Sequence, residues 1–192
     1  MTALIDAKRL LRKQAEARRA AAAPTAAGAA DQVAARVLEL MAGRQPGIVS
    51  AYLPMAGEMD PLPAMAALAA RGWRRCLPVV VAKGEPLVFR AWNPGDDLED
   101  GVFGTRHPAA GAETVAPDLL LTPLLAFDRQ GYRLGWGGGF YDRTLEKLRA
   151  AGDVTAIGVA FAAQEVDAVP RADYDARLDG IVTERETIPV GG

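Results

Sequence analysis

The amino-acid sequence predicts an α/β fold, a three-layer α/β/α sandwich around a mostly parallel sheet, in a single domain over residues 1–192. Short apolar runs alternate with longer segments of helical periodicity, which is the pattern of strands joined by crossover helices. A length of 192 residues suits one domain. The sequence shows neither an internal repeat nor a linker that would divide it.

Helices are predicted where breakers are absent and apolar residues recur at helical spacing. A basic N-terminal helix is expected over residues 4–23, because this segment is rich in Ala, Leu, Arg, Lys and Gln. A loop should follow at residues 24–30. Asp31 is expected to cap a second helix that ends at Leu40, and Gly72 to end a third over residues 61–71. A fourth helix is predicted over residues 140–150.

Strands are predicted from short β-prone runs bounded by Pro and Gly. These runs cover residues 48–53, 75–81, 87–92, 119–121, 155–161 and 180–183. The turn-forming residues 83–86 predict a hairpin between the second and third strands. Residues 93–116 have little periodicity, so we expect a long irregular excursion of the functional or mobile kind.

Composition excludes several classes of function. With 22 basic and 24 acidic residues the net charge is −2, which argues against a general nucleic-acid binder. The single cysteine, Cys76, excludes an internal disulfide and a cysteine-rich zinc site, and it favours a cytoplasmic setting. No segment approaches the roughly 20 apolar residues that cross a bilayer. We therefore expect a cytoplasmic protein without membrane or nucleic-acid partners.

The glycine-rich segment of residues 127–143, FDRQGYRLGWGGGFYDR, is the most informative part of the sequence. Its glycines let a ligand approach the main chain closely. The helix expected next would direct its free N–H groups and positive dipole end at the same place. The segment predicts a phosphate site, which Arg133 and Arg143 can strengthen with forked hydrogen bonds. A plain turn is the alternative that the glycines leave open.

Asp142 follows this segment and carries the hard carboxylate that Mg²⁺ prefers. Phosphate-bound Mg²⁺ usually takes only one or two protein carboxylates, so a lone aspartate here is sufficient to suggest a metal role. The alternative is an acidic residue in a first helical turn, favoured by the dipole alone. The segment is not a P-loop, since no Gly-Lys-Ser or Gly-Lys-Thr closes it, and its spacing does not fit the Rossmann fingerprint.

A second cluster, YLPMAGEMD at residues 52–60, follows a predicted strand. Open α/β sheets bind ligands beyond the carboxyl ends of their strands. Glu58 could accept hydrogen bonds from amino or N–H groups of a heterocycle, with Leu53 in an apolar wall. We expect Asp60 to cap the next helix rather than to bind a ligand. For Glu58 the local sequence leaves a binding role and a loop role open.

The remaining candidates carry weaker signals. Lys8 and Arg12 project from one face of the basic helix, for which a solvated surface is the alternative. Acidic residues near the last strand, among them Asp175 and Asp179, are typical of turns. His107 is expected at the surface. Cys76 is expected to pack inside a strand as a small hydrophobe.

Taken in order, these segments resemble the 5-formyltetrahydrofolate cyclo-ligase family, also called methenyltetrahydrofolate synthetases. The resemblance spans almost the whole chain. It includes KRLLR at residues 8–12, YLP at 52–54 with Glu58, GVFG at 101–104, GYRLGWGGGFYD at 131–142 and LDG at 178–180.

The resemblance implies the ATP- and Mg²⁺-dependent conversion of 5-formyltetrahydrofolate to 5,10-methenyltetrahydrofolate, with release of ADP and phosphate. It implies that ATP binds at Lys8, Arg9, Leu10, Leu11, Arg12, Arg133, Leu134, Gly135, Trp136, Gly137, Gly138, Gly139, Phe140 and Tyr141. Leu53, Glu58, Trp136, Gly137, Gly138, Gly139 and Phe140 would contact the folate. Lys8, Arg133 and Asp142 would be catalytic, and Asp142 and Asp179 would hold Mg²⁺.

The implied chemistry needs no protein nucleophile. Transfer of the γ-phosphoryl group of ATP to the formyl oxygen makes that oxygen a good leaving group, and N10 then closes the ring. The implied partners are small molecules, and we expect a monomer. A non-catalytic folate- or nucleotide-binding relative is the main alternative. An RNA-binding module is a third, against which the net acidity and the lack of an aromatic–basic RNA motif argue.

Overall fold

The computed structural model describes residues 2–23, 27–55 and 57–191. Its helices are α1 (Thr2–Ala22), α2 (Ala29–Leu40), α3 (Leu62–Ala69) and α4 (Phe140–Ala151). Its strands are β1 (Ile48–Ser50), β2 (Arg74–Val79), β3 (Val88–Ala91), β4 (Leu98–Asp100), β5 (Arg106–Pro108), β6 (Thr114–Val115), β7 (Leu119–Thr122), β8 (Ala126–Phe127), β9 (Arg133–Leu134), β10 (Thr155–Val159), β11 (Gly180–Val182) and β12 (Thr187–Pro189).

The main sheet has the strand order β12–β11–β10–β7–β1–β2–β3–β6. Its centre is parallel, from β11 through β10, β7 and β1 to β2. The outer strands are antiparallel to their neighbours: β12 to β11, β3 to β2, and β6 to β3. The predicted mostly parallel sheet and the predicted hairpin between β2 and β3 are confirmed.

Helices cover both faces of this sheet, so the three-layer arrangement is confirmed. Because side chains alternate along a strand, neighbouring residues pack into different layers. Leu119 and Leu121 face the cluster formed with α2 and α3. Leu120 faces the opposite cluster, which includes Leu145 of α4. Helix α1 packs Ala15 against Leu125 and other residues of a smaller third cluster.

Residues 93–116 are more ordered than expected. Strands β4 and β5 form an antiparallel hairpin here, and β6 extends the main sheet. The hairpin residues Glu99, Asp100 and Arg106 are exposed, so the sequence lacks the apolar alternation by which strands are recognised. Strands β8, β9 and β12 were likewise not predicted, whereas β11 lies within the predicted strand at residues 180–183.

Two helix starts test the capping predictions. Helix α2 begins at Ala29, two residues before Asp31, with Gly28 at its N-cap in the left-handed region at φ 75°. Asp31 instead lies in the first turn, where its charge favours the helix dipole. Asp60 behaves as predicted, because its Oδ1 accepts a hydrogen bond from the Leu62 N–H at 2.9 Å. The predicted loop at residues 24–30 falls partly outside the described residues.

The topology places a crevice between β1 and β7. From β1 the chain crosses through α3 to β2, whereas from β7 it crosses through α4 to β10 on the other side. At such a switch point the loops leave in opposite directions beyond the carboxyl ends of the strands, and a ligand can enter. Among the described residues, no helix has the length and apolar character to cross a bilayer.

Candidate active site

A cleft of about 910 Å³ lies beyond the carboxyl ends of β1 and β7. It is lined by α1, the loop after β1, the β4–β5 hairpin, and the glycine loop (residues 135–139) with the start of α4. The predicted residues in its walls are Lys8, Arg12, Leu53, Glu58, Arg133, Leu134, Gly135, Trp136, Gly137, Gly138, Gly139, Phe140, Tyr141 and Asp142. The fold thus brings together segments that are more than a hundred residues apart in the sequence.

The glycine loop needs glycine for conformational and steric reasons. Gly137 and Gly139 lie in the left-handed region, at φ 99° and 64°. A Cβ on Gly137 would lie 3.1 Å from Nη2 of Arg12, and one on Gly139 would lie 2.7 Å from Nη1 of Arg143. Gly139 is the N-cap of α4 and offers no side chain to its first N–H groups. These groups are therefore suited to bind an anion in the cleft.

Five cationic side chains line the cleft, namely Lys8, Arg12, Arg106, Arg133 and Arg143, and Arg143 donates to the carbonyl oxygen of Gly138 in the glycine loop at 2.6 Å. Lys8 pairs with Asp175. Arg12 donates from Nε to the carbonyl oxygen of Gly135 at 2.9 Å. Arg133, whose side chain is 5% exposed, donates to the carbonyl oxygen of Ala176 at 2.8 Å. Since lysine has three donors and arginine five, these contacts leave N–H groups for an anionic ligand.

Asp142 lies in the first turn of α4 and has one carboxylate oxygen in use. Its Oδ1 accepts hydrogen bonds from Nη2 of Arg133 at 2.9 Å and from the Ala176 N–H at 3.1 Å. Among the described residues none donates a hydrogen bond to Oδ2, so the side chain fits a single protein ligand to phosphate-bound Mg²⁺. Across residues 2–23, 27–55 and 57–191, no three His, Cys, Asp or Glu side chains are arranged to hold a metal ion. Phosphate and water oxygens would have to complete the shell.

The structure does not bring Asp179 to Asp142. Asp179 precedes β11, at the amino edge of the sheet, whereas the cleft lies at the carboxyl edge. Its Oδ2 accepts hydrogen bonds from Arg149 at 2.9 Å and from the Ala156 N–H at 2.7 Å. Arg149 lies two turns of α4 beyond Asp142, or roughly 10 Å along the helix. Of the two aspartates, Asp142 lines the cleft and Asp179 does not.

Three residues of the N-terminal motif also lie outside the cleft walls. Arg9 points to solvent and pairs with Asp6 at 3.0 Å, with its side chain 80% exposed. Leu10 is 60% exposed. Leu11 packs against the small cluster around Ala15. Only Lys8 and Arg12 of residues 8–12 face the cleft, because they are four residues apart on the helix.

Glu58 belongs to a buried network inside the cleft wall. Its Oε1 pairs with Nη1 of Arg19 at 3.2 Å, and the two side chains are 6% and 9% exposed. Its Oε2 accepts a hydrogen bond from the Met55 N–H at 3.0 Å. The indole Nε1 of Trp136 donates to Oε1 at 3.4 Å. These contacts hold the carboxylate at the wall of the cleft, and both the binding role and the loop role that the sequence left open are consistent with them.

Aromatic side chains form the apolar part of the cleft. Tyr52 donates its hydroxyl to the carbonyl oxygen of Met59 at 2.6 Å, and burial, with the nearby Glu58 charge, raises its pKa. Burial also raises the pKa of Tyr141. Both tyrosines therefore stay neutral at physiological pH. At the other wall the rings of Phe103 and Phe140 lie 6.2 Å apart.

Sequence reasoning missed several residues that the fold brings to the site, among them Arg19, Asp175 and Phe103. Arg19, which lies in the predicted basic helix without an assigned role, is 8% exposed. Its signal was its spacing of seven residues from Arg12, which places both on one helical face. Asp175, expected to be a turn former, pairs with Lys8. Phe103 lies at the tip of a hairpin that was not predicted, and the GVFG motif at residues 101–104 entered the resemblance without a role for this residue.

An open α/β sheet with a switch-point cleft, a glycine loop at a helix N-terminus and several cations beside it is typical of α/β enzymes that act on small molecules. The model of the 5-formyltetrahydrofolate cyclo-ligase family matches residues 5–184. The chain belongs to this family, and the expected class of enzyme, a ring-forming ligase, is confirmed.

Individual relatives agree with the family match. The chain is 31% identical to the 5-formyltetrahydrofolate cyclo-ligase of Haemophilus influenzae over 159 residues, which cover 80% of this chain and 84% of the relative. It is 36% identical to the Escherichia coli protein of the same name over 141 residues, covering 70% and 76%. The 5,10-methenyltetrahydrofolate synthetase of Aquifex aeolicus superposes with a TM-score of 0.74 at 26% identity, covering 96% of this chain and 93% of that one.

Proposed function

We propose that this protein converts 5-formyltetrahydrofolate to 5,10-methenyltetrahydrofolate at the expense of ATP, with Mg²⁺, releasing ADP and phosphate. One observation carries the proposal. The glycine loop with the N-terminus of α4, the cations of α1, and the buried Glu58 all line one cleft. Groups suited to an anion and groups suited to a heterocycle therefore line the same cleft, so ATP and 5-formyltetrahydrofolate could bind there close enough to react.

The nucleotide phosphates would bind at the end of the cleft formed by the glycine loop. There the N–H groups at the start of α4 and the cations Lys8, Arg12 and Arg133 can neutralise the triphosphate charge. The buried guanidinium of Arg133 is already fixed by Ala176 and Asp142. It would therefore act without the reorganisation that an exposed cation requires.

A magnesium ion would be held by Oδ2 of Asp142 together with phosphate oxygens of ATP. Bound there, the ion supplies charge neutralisation for the transferring phosphoryl group. Asp179 would not take part, because it pairs with Arg149 at the opposite edge of the sheet.

The folate ring would bind against Glu58, on the side of the glycine loop where Trp136 donates a hydrogen bond to that carboxylate. The pyrimidine half of its bicyclic ring presents N–H and amino donors that suit the acceptor oxygens of a carboxylate. Leu53 and the aromatic rings of Trp136 and Phe140 would enclose its flat faces. This pose directs the N5-formyl group toward the phosphate end.

The reaction then proceeds in two steps. The formyl oxygen attacks the γ-phosphorus, the bond to the β,γ-bridging oxygen breaks, and ADP leaves. N10 attacks the activated formyl carbon and loses its proton, the carbon–oxygen bond breaks, and phosphate departs. The residues of the cleft contribute orientation and charge stabilisation, and ideal orientation can supply as much as roughly 7–11 kcal/mol of barrier reduction.

The test is a spectrophotometric assay of the purified protein with 5-formyltetrahydrofolate, ATP and Mg²⁺. The methenyl product absorbs in the near ultraviolet and its formyl precursor does not, so we expect a rising signal that requires all three additions. Reactions that lack ATP or Mg²⁺ are the controls. Folate binding by calorimetry without any product signal would overturn the proposal in favour of a non-catalytic binding relative.

A further inference from the structure

We propose that Arg19 is a positioning residue that holds Glu58 in place for the folate ring. This inference rests on the proposed function, because it concerns how Glu58 meets the heterocycle of 5-formyltetrahydrofolate. Arg19 is on α1, whereas Glu58 is in the loop after β1, so the contact joins two elements that the sheet does not connect.

The Arg19–Glu58 pair is buried on both sides. The side chains are 9% and 6% exposed, and Nη1 of Arg19 lies 3.2 Å from Oε1 of Glu58. Removing two charges from water is costly unless each is paired and further hydrogen bonds satisfy the rest of its polar atoms. The additional donors to Glu58 are the Met55 N–H and the indole of Trp136. A carboxylate held from three directions keeps a single orientation.

Arg19 also stabilises the indole that borders the ring site. Its guanidinium carbon lies 5.1 Å from the centroid of the Trp136 ring, in cation–π range. Trp136 is 49% exposed and belongs to a loop of glycines, so few packing contacts fix its orientation. One guanidinium therefore holds two walls of the ring site, the carboxylate and the indole.

The position of Arg19 along α1 explains how one helix serves both ends of the cleft. Lys8, Arg12, Ala15 and Arg19 follow one another at intervals of four, three and four residues, so they share a helical face. Ala15 is 1% exposed, which shows that this face is turned toward the protein. Lys8 and Arg19 are separated by roughly 16 Å at 1.5 Å per residue. Loss of Arg19 should therefore affect the ring end and spare the phosphate end.

The experiment compares Arg19→Met with Arg18→Met, a matched change at the neighbouring exposed arginine of the same helix. Dissociation constants for 5-formyltetrahydrofolate without ATP, and for ATP with Mg²⁺, are measured by calorimetry. We expect Arg19→Met to weaken folate binding at least about tenfold, as for truncation within a buried charge pair, and to change ATP binding less than about twofold. Arg18→Met should change neither. Equal loss of both ligands would overturn the inference.

A double-substitution cycle tests whether Arg19 acts through Glu58. If it does, Arg19→Met/Glu58→Gln should bind folate within about twofold of Glu58→Gln alone, because the two effects are coupled. Effects that multiply would overturn the inference. Arg19→Lys keeps the charge and should recover part of the affinity. If Arg19→Met does not fold, Arg19→Lys replaces it in the double-substitution cycle. Additive effects of Arg19→Lys and Glu58→Gln on folate affinity would also contradict the proposal.

A ligand-free readout separates this inference from the proposed function. The indole N–H resonance of Trp136, assigned with Trp136→Phe, should shift in Arg19→Lys and stay in place in Arg18→Met. A wild-type protein that makes no methenyl product refutes the proposed function. The role of Arg19 alone is refuted by a different result. In that case the wild-type protein makes the methenyl product, but the Arg19 variant has the same folate affinity and indole resonance as Arg18→Met.

Discussion

Arg133 donates a hydrogen bond from Nη2 to Oδ1 of Asp142 at 2.9 Å and so joins β9 to the first turn of α4. The Arg133 side chain is 5% exposed and that of Asp142 is 24% exposed, so the cation is the more buried partner. The pair balances charge at the wall of the cleft. It also fixes which carboxylate oxygen of Asp142 can face a ligand.

Asp142→Asn should lower turnover by about tenfold or more and raise the Mg²⁺ concentration required for half-maximal rate. The amide retains an oxygen for Arg133 but loses the negative charge that a metal ion needs. The measurement is initial rate against Mg²⁺ concentration. Asp179→Asn is the matched control, and we expect its Mg²⁺ response to equal that of the wild type. A shifted response in Asp179→Asn would instead indicate that both carboxylates serve the ion.

Lys8→Ala should raise the KM for ATP more than the KM for 5-formyltetrahydrofolate. Lys8 lines the phosphate end of the cleft, and its loss removes one cation from the triphosphate site. Steady-state kinetics with each substrate varied in turn measures the split. Lys13→Ala, at an exposed position of the same helix, is the control. Equal effects on both substrates would make Lys8 a structural residue of α1.

Gly139→Ala should lower the free energy of unfolding by about 1–2 kcal/mol, the cost of a left-handed backbone for a residue with a Cβ. The added carbon would also meet the Arg143 guanidinium at 2.7 Å. Gly135→Ala is the control for stability, because its backbone is not left-handed and its Cβ would meet no atom within 4 Å. Denaturant unfolding of both variants gives the comparison. Equal stabilities would show that the loop relaxes at no cost.

Cys76 should make the protein less stable as the pH rises above 9. Burial raises the pKa of its thiol from 9.0 to about 12, so between these values the unfolded chain releases a proton that the folded chain retains. The thiol's contribution is nearly constant below pH 8, and about 2 kcal/mol of it is lost between pH 8 and pH 10.5. Unfolding measured across this range for wild type and Cys76→Ala isolates the thiol, since Tyr52 and Tyr141 remain in both. Identical slopes would contradict the shift.

The main sheet could be predicted from the sequence because its central strands are continuous apolar runs. Leu119–Thr122 is buried at every position, and no other local structure suits such a short run between turns. The strands that escaped prediction are too short for a periodicity to show, as β8 and β9 are with two residues each, or they lack apolar alternation. Glu99 opposite His107 in the β4–β5 hairpin is an example, since neither residue has a strand signature.

The candidate site was predictable where local geometry determines it. Lys8 and Arg12 share a face by helical spacing, and the glycine loop with Asp142 is contiguous in sequence. Contacts between distant segments carried no such signal. The pairing of Arg19 with Glu58, 39 residues away, depends on how α1 docks over the loop after β1. The carboxylate of Asp179 could be placed at the far edge only once the strand directions were known.

Helix α1 takes no part in the sheet and packs mainly on β8 and the turn at residues 162–164. It nevertheless supplies cations to both ends of the cleft. Detachment of α1 would leave the three-layer sandwich folded but would remove Lys8, Arg12 and Arg19 from the site. Enzymatic turnover should therefore be lost at whatever temperature α1 detaches, at or below the temperature at which the main sheet unfolds.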